Sequence, residues 1–341
     1  MVSIRKLAEL AGASHTAVWF ALQNKPGVSP EMRARILALA EEYHYRPNRL
    51  VEGLITGNTR TIGHITEHST WYFYSRLCAG IISAAYYDRV HAITINAAIE
   101  QPRPPVSQFI EQLIEQRVDG IILSVGQVTL STKSVLEMWS HDIVPVLIGD
   151  SMCEKPLDWI NTDERQLAYL AVDYLLHLGH RHIAYCGLDR QRSRNQQMYQ
   201  AFQARGLSLE CFIHEAMMTA PDPQTANAHL DFFQSRVRPP TAIICFEDCM
   251  AMQLLLHAQK RGLRVPGDLS ILGCSNNIVC GFLTPALTTI EQYPEEIGRR
   301  AYELVQRRRQ EGEEPGKRKP ETILVAPKLV IRESCGPPGK P

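Results

Sequence analysis

Apolar positions change their period along this chain. Near the start, "IRKLAELA" places apolar residues at 4, 7, 8, 10 and 11, one face of a helix. Gly12 stops that helix, and Ser14 stands ready to cap a second over residues 15–22. "NKPGVSP" then reads as a loop. Ser29 caps a third helix with Pro30 at its first position, where a missing N–H costs nothing. After about residue 60 the pattern becomes short apolar runs separated by helix-length amphipathic segments. The runs are "TIGHIT" (61–66), "AITIN" (92–96), "VDGIILSV" (118–125), "VPVLIGD" (144–150), "HIAYCG" (182–187), "TAIICF" (241–246) and "LSILGC" (269–274). Strand alternating with helix predicts parallel sheets covered on both faces.

So many units divide into two doubly wound subdomains, with the break read near Trp159–Asn161. The expected fold is a small all-α headpiece followed by an α/β core of two parallel-sheet subdomains. The headpiece spans 1–46 and a hinge 47–60. The first subdomain takes 61–160, with 291–322 returning to it. The second takes 161–290, with 323–334. Ligands of such sheets sit beyond the carboxyl ends of the strands, so two facing subdomains make a crevice there. "RRRQEGEEPGKRKPE" (307–321) reads as a solvated surface loop.

Charge sharpens the division. The 341 residues carry 36 basic and 36 acidic side chains, but residues 1–60 hold eight Lys/Arg against five Asp/Glu. A mildly basic start ahead of an acidic body points to nucleic acid. No stretch is apolar enough for a membrane span or a signal peptide, which predicts a cytoplasmic chain. Nine cysteines, several inside apolar runs, suit buried thiols in a reducing compartment. Cys245 and Cys249 have a CxxxC spacing with no second pair, a weak metal signal. There is no nucleophile elbow, phosphate loop or dinucleotide turn, so an enzyme is not expected and no cofactor is implied.

Counting from Ile4, Ala8, Gly12 and Val18 fall fifth, ninth and fifteenth. These are the small contact residue, the turn and the aliphatic anchor of a helix-turn-helix. With their neighbours, "VSIRKLAELAGASHTAV" and "VSPEMRARILALAEEYHYRPN", they resemble the headpiece of the LacI/GalR family of transcriptional repressors. "VDGIIL", "HLGHRHIAYCG", "RGLRVPGDLSILG", "TPALTTIEQ" and "LVAPKLVIRES" resemble that family's periplasmic-binding-protein-like core. The resemblance runs in order from residue 2 to about 334.

It implies a homodimer on near-palindromic double-stranded operator DNA, with a small-molecule effector, a sugar or related metabolite, in the crevice. His15 and Thr16 begin the second helix, the end that reaches base edges. Ser3, Ser14 and Ser29 can bond phosphates. Asn48 and Arg49 start the hinge, and Leu54 matches the apolar wedge that kinks the duplex. In the crevice, Phe73 and Tyr74 can stack on a ligand, Asp150 can accept from hydroxyls, and Arg194 matches the arginine of an Arg-x-x-Gly motif. Glu247, Ser275 and Asn276 complete the implied set.

The departures carry information. Val18-Trp19-Phe20 stands where Val-Ser-Arg is common. Either Phe20 meets thymine methyls, or Trp19 or Phe20 packs on the headpiece and leaves readout to His15 and Thr16. "VEGL" replaces the usual Ala-Arg-Ser-Leu, and Gly53 with Glu52 predicts a hinge that orders only on DNA. Gln197 replaces the glycine of the arginine motif. Ser275 and Asn276 replace two carboxylates that typically bind sugar hydroxyls, which argues against a simple hexose. A plain carbohydrate-binding protein and a ligand-independent DNA binder are the alternative readings.

Overall fold

The computed structural model describes residues 2–46, 57–67, 71–97, 104–126, 129–150, 152–187, 193–213, 223–312 and 317–339. The chain forms two compact units, Met1–Arg60 and Thr61–Pro341. The first contains helices α1 (Ile4–Ala11), α2 (His15–Leu22) and α3 (Pro30–Glu42). Leu7, Ala8, Ala11, Val18, Ala21 and Ile36 close its core. Gly12 ends α1 in the left-handed region at φ 64°, where a side chain is disfavoured. Most of the hinge, with Asn48, Arg49, Leu54 and the Glu52–Gly53 pair, lies outside the described residues.

The second unit holds two parallel sheets. In chain order its elements are β1 (Thr61–Thr66), α4 (Tyr72–Tyr87), β2 (His91–Asn96), α5 (Val106–Glu115), β3 (Gly120–Ser124), β4 (Thr129–Leu130), α6 (Thr132–Ser140), β5 (Val144–Ile148), β6 (Met152–Cys153) and β7 (Asp158–Thr162). Then come α7 (Glu164–His177), β8 (Ile183–Cys186), α8 (Ser193–Ala204), β9 (Phe212–Ile213), α9 (Pro223–Gln234), β10 (Ala242–Cys245), α10 (Asp248–Lys260) and β11 (Ser270–Leu272). A 3-10 turn (Ile278–Phe282), β12 (Thr289–Glu291), α11 (Pro294–Glu311), β13 (Thr322–Val325) and β14 (Lys328–Val330) complete it. The first sheet has the order β13-β7-β5-β3-β1-β2 and the second β11-β10-β8-β9.

All seven apolar runs became strands, because each is bounded by polar or turn residues and is long enough to cross a sheet once. Two boundaries moved. Trp159–Asn161, read as the break, lies inside β7, an interior strand between β5 and β13, so the chain leaves the first sheet only after Thr162. Residues 322–325 pair with Trp159–Thr162 and belong to the first sheet, so the final crossing falls beyond Val325 and not at 323. There β14 pairs antiparallel with β12.

The segment read as a solvated loop also differs. Residues 307–311 continue α11, and Arg308 is buried in a bidentate pair with Asp158, both bonds 2.8 Å. Arg309 meets the nearly buried carboxylate of Asp119 at 3.1 Å. Buried carboxylates on the first sheet recruit these guanidinium groups, a pairing that charge composition alone cannot reveal. α11 crosses α4 backbone to backbone: a Cβ at Gly80 would lie 2.1 Å from the Glu295 carbonyl oxygen, and one at Gly298 would lie 2.3 Å from that of Leu77.

Candidate functional site

In the headpiece each helix begins at a serine. Ser3, Ser14 and Ser29 accept from the backbone N–H of Lys6, Ala17 and Met32 at 3.1–3.2 Å. Their hydroxyl protons stay available to donate, and all three residues are exposed. No acidic residue occupies the first turn of α1 or α2, so both keep the positive end of the helix dipole uncompensated. His15 and Thr16 are exposed at the start of α2, while Val18 and Ala21 on its other side are buried.

The aromatic pair behaves differently. Trp19 and Phe20 are half-buried, their rings 5.5 Å apart. The Lys25 ammonium lies 4.0 Å from the Trp19 ring centroid, a cation–π contact. Phe20 packs on Gly27, where a Cβ would come within 3.2 Å of its ring. Arg33 fastens this loop by donating to the carbonyls of Phe20, Ala21 and Lys25. Both aromatics thus brace the loop between α2 and α3.

The crevice residues converge on the carboxyl ends of the strands. Asp150, just past β5, accepts from the backbone N–H and hydroxyl of Ser193 at 3.2 and 2.5 Å. One subdomain thereby meets the first residue of α8 in the other. Arg194 follows, 7% exposed. It forms a bidentate pair with Glu164 at 2.7 and 2.8 Å, and donates to the Phe246 carbonyl, the Cys274 sulfur and the Gln292 amide oxygen. Its plane covers the Phe246 ring at 4.5 Å. Burial by itself would lower the guanidinium pKa, but the neighbouring Cys274 and Glu164 raise it well above its ordinary value.

Ser275 is buried with φ 112°, and its hydroxyl accepts from Gln292 at 3.1 Å. Asn276, also left-handed at φ 47°, donates to Glu291 at 2.9 Å and accepts from Arg332 at 2.8 Å. Glu247 is the N-cap residue of α10 and is half-buried. Asp248 beside it accepts from Thr289 at 2.5 Å and the Asn277 N–H at 2.6 Å; burial pushes its pKa up. Phe73 packs against the first sheet's core, with Tyr74 edge-on at 5.4 Å.

Sequence reasoning passed over four residues that organise this region. Arg76 on α4 reaches Glu291 at 3.1 Å, Glu295 at 2.5 Å and the Ser275 carbonyl at 3.3 Å. Tyr72 accepts from the Ile278 N–H at 3.2 Å. Trp71 packs on the second sheet's core, and Glu164 holds Arg194. The aromatic run at 71–74 was the only usable signal; partners 30 to more than 200 residues apart leave no local pattern. His180 is spent on structure, bonding Thr241, Ser270 and Gly336. Cys245 is buried and Cys249 exposed, and among the described residues no three His, Cys, Asp or Glu are grouped to hold a metal.

Residues 3–48 match the family model for bacterial regulatory proteins, lacI family, and residues 172–335 match that for the periplasmic binding protein-like domain. A helix-turn-helix unit joined to this core defines a transcriptional regulator with an effector-binding domain, and not an enzyme. The chain belongs to the LacI family. It is 29% identical to the HTH-type transcriptional repressor PurR of Vibrio vulnificus over 343 aligned residues, covering 98% of both chains. A PurR of Photobacterium profundum is 26% identical over 98% of both. The fold is shared with the Lac repressor dimer bound to operator and the anti-inducer ONPF, at TM-score 0.83, 22% identity and 98% coverage of both chains. No described helix is long and apolar enough to cross a membrane.

Proposed function

We propose that this regulator acts in the cytoplasm as a homodimeric repressor. It binds a near-palindromic operator, and a small molecule in the crevice controls it. The observation that carries the DNA reading is the face formed at the start of α2. His15 and Thr16 are exposed beside an uncompensated helix N-terminus, between serine caps whose hydroxyls can donate to phosphates. Base readout rests on these two residues. Phe20, held on Gly27, presents only part of its ring and carries no guanidinium to demand guanine. Asn48, Arg49 and Leu54 contribute the hinge contacts. Exposed Ile82, Tyr86, Ile278 and Phe282 supply apolar surface for the second copy.

The effector reading rests on the Asp150–Ser193 and Arg76–Glu291 links between subdomains. A ligand that binds unequally to their joined and parted states shifts the equilibrium between them. Phe73, Tyr74, Asp150 and Glu247 line its path in this proposal. Ser275, Asn276 and Arg194 form the framework behind them.

The test is selection of operators from random duplex DNA, followed by binding titrations over a range of salt. A near-palindrome is expected, with no guanine required opposite residue 20 and affinity falling linearly on a log–log salt plot. Failure to enrich any sequence, or salt-independent binding, would refute the DNA reading.

A further inference from the structure

Arg194 has five N–H donors, and each has a partner inside the protein: two on Glu164, one each on the Phe246 carbonyl, the Cys274 sulfur and Gln292. Its position is above the carboxyl ends of β10 and β11, where a ligand of this sheet would lie. The second guanidinium at the junction, Arg76, is held by Glu291 and Glu295. Both of these guanidinium groups are therefore answered by carboxylates.

Other groups there have no partner. Gln197, three residues beyond Arg194 on the same face of α8, has a shielded side-chain oxygen with no donor. The hydroxyls of Thr66 and Thr162, at the carboxyl ends of β1 and β7, are also buried and unpartnered, but a hydroxyl donates as readily as it accepts, so these two do not choose between ligand classes. A buried acceptor without a donor costs free energy that an arriving O–H or N–H recovers. An anionic oxygen brings no donor. It would face the Gln197 oxygen and the Glu164 carboxylate, and would have to displace a bidentate, charge-assisted pair to reach Arg194.

We infer that the crevice takes an uncharged ligand rich in O–H or N–H donors and rejects phosphorylated or carboxylate-bearing ones. Glu164 sets this selectivity by holding the Arg194 fork. It is a positioning residue: it touches the arginine and not the ligand. The inference rests on the effector reading above and adds the ligand's chemical class.

The experiment uses the full-length chain and measures thermal shifts and calorimetric titrations. The probes are inorganic phosphate, glucose 6-phosphate and galacturonate on one side, and glucose and cellobiose on the other. The variants are Glu164→Gln and Glu164→Gln/Arg194→Gln, each checked for native circular dichroism. Wild type is expected to ignore the anions. Glu164→Gln removes the counter-charge and frees one donor of the fork, and should bind phosphate about tenfold more tightly, the factor that about 1.4 kcal/mol represents. The double variant should lose that gain, which separates site binding from the general stabilising effect of phosphate on folded proteins.

Phosphate or glucose 6-phosphate binding to wild type as strongly as to Glu164→Gln would overturn the inference. So would a folded Glu164→Gln with no gain. If Glu164→Gln gains phosphate while wild type binds neither neutral sugar, the role of Glu164 stands and glucose and cellobiose are excluded as the effector.

Discussion

His64 lies on β1 with no exposed surface, its Nε2 2.8 Å from the Ser124 hydroxyl and its Nδ1 3.4 Å from the Cys78 sulfur. Burial lowers its pKa to about 3, against an ordinary 6.5. The folded protein therefore keeps this imidazole neutral through the range where the unfolded chain takes up a proton. The unfolded state binds more protons between these two values, so stability rises with pH there and falls as pH drops. The contribution is fully present above about pH 6.5 and is progressively lost toward about pH 3. Each unit is worth about 1.4 kcal/mol, so acidification to about pH 5 removes about 2 kcal/mol through this one group. The size of that loss requires only that the folded pKa lie well below 5.

The assay is urea unfolding of wild type and His64→Gln at about pH 7 and about pH 5, followed by circular dichroism and fluorescence together. Glutamine keeps a polar group toward Ser124 but does not titrate. The variant loses stability at both pH values, but its loss on acidification should be about 2 kcal/mol smaller. His180 and His229 are also pushed down by burial and contribute equally to both proteins, so they cancel in the difference. Equal acid losses in the two proteins would refute the reasoning.

Gly298→Ala should destabilise the second unit by about 1–3 kcal/mol, because the new methyl meets a backbone oxygen on α4 that cannot move aside alone. An unchanged urea midpoint would show that the two helices part freely. Asp158→Asn removes the bidentate counter-charge of the buried Arg308 guanidinium and leaves it Glu311 at 3.0 Å, so the cost should fall at about 3 kcal/mol, the lower end for a broken buried pair. A loss below about 1 kcal/mol by the same measurement would mean that water reaches the pair.

Much of the architecture is local and so was legible. Ser14 before His15, Gly12 after Ala11, and Pro30 after Ser29 mark helix ends through single-residue geometry, and each mark stands where it was read. The seven apolar runs became strands for the same reason. "DWINT" was passed over as a strand because its alternation is short and its flanks are charged. Its partners, Val146–Ile148 and Thr322–Val325, lie on both sides of it in the sheet but distant in the chain.

The candidate site divides along the same line. Exposure of His15 and Thr16 follows from their place in the first turn of a helix capped by Ser14. The bracing of Trp19 by Lys25 and of Phe20 by Gly27 depends on a loop whose path Arg33 sets. Ser275 and Asn276 were recognisable as departures from a family pattern, but their present bonds to Gln292, Glu291 and Arg332 were not.

The sequence by itself determined the helix-turn-helix, the alternation of strand and helix, and the family. Each is written in residues close together, where backbone geometry and hydrophobic period act directly. Only the tertiary structure decided where the chain crosses between sheets, that Arg308 is buried, and that Arg194 is held by Glu164. Those outcomes follow from which charges are brought together when distant elements pack, and a buried guanidinium takes the carboxylate that the fold places within reach.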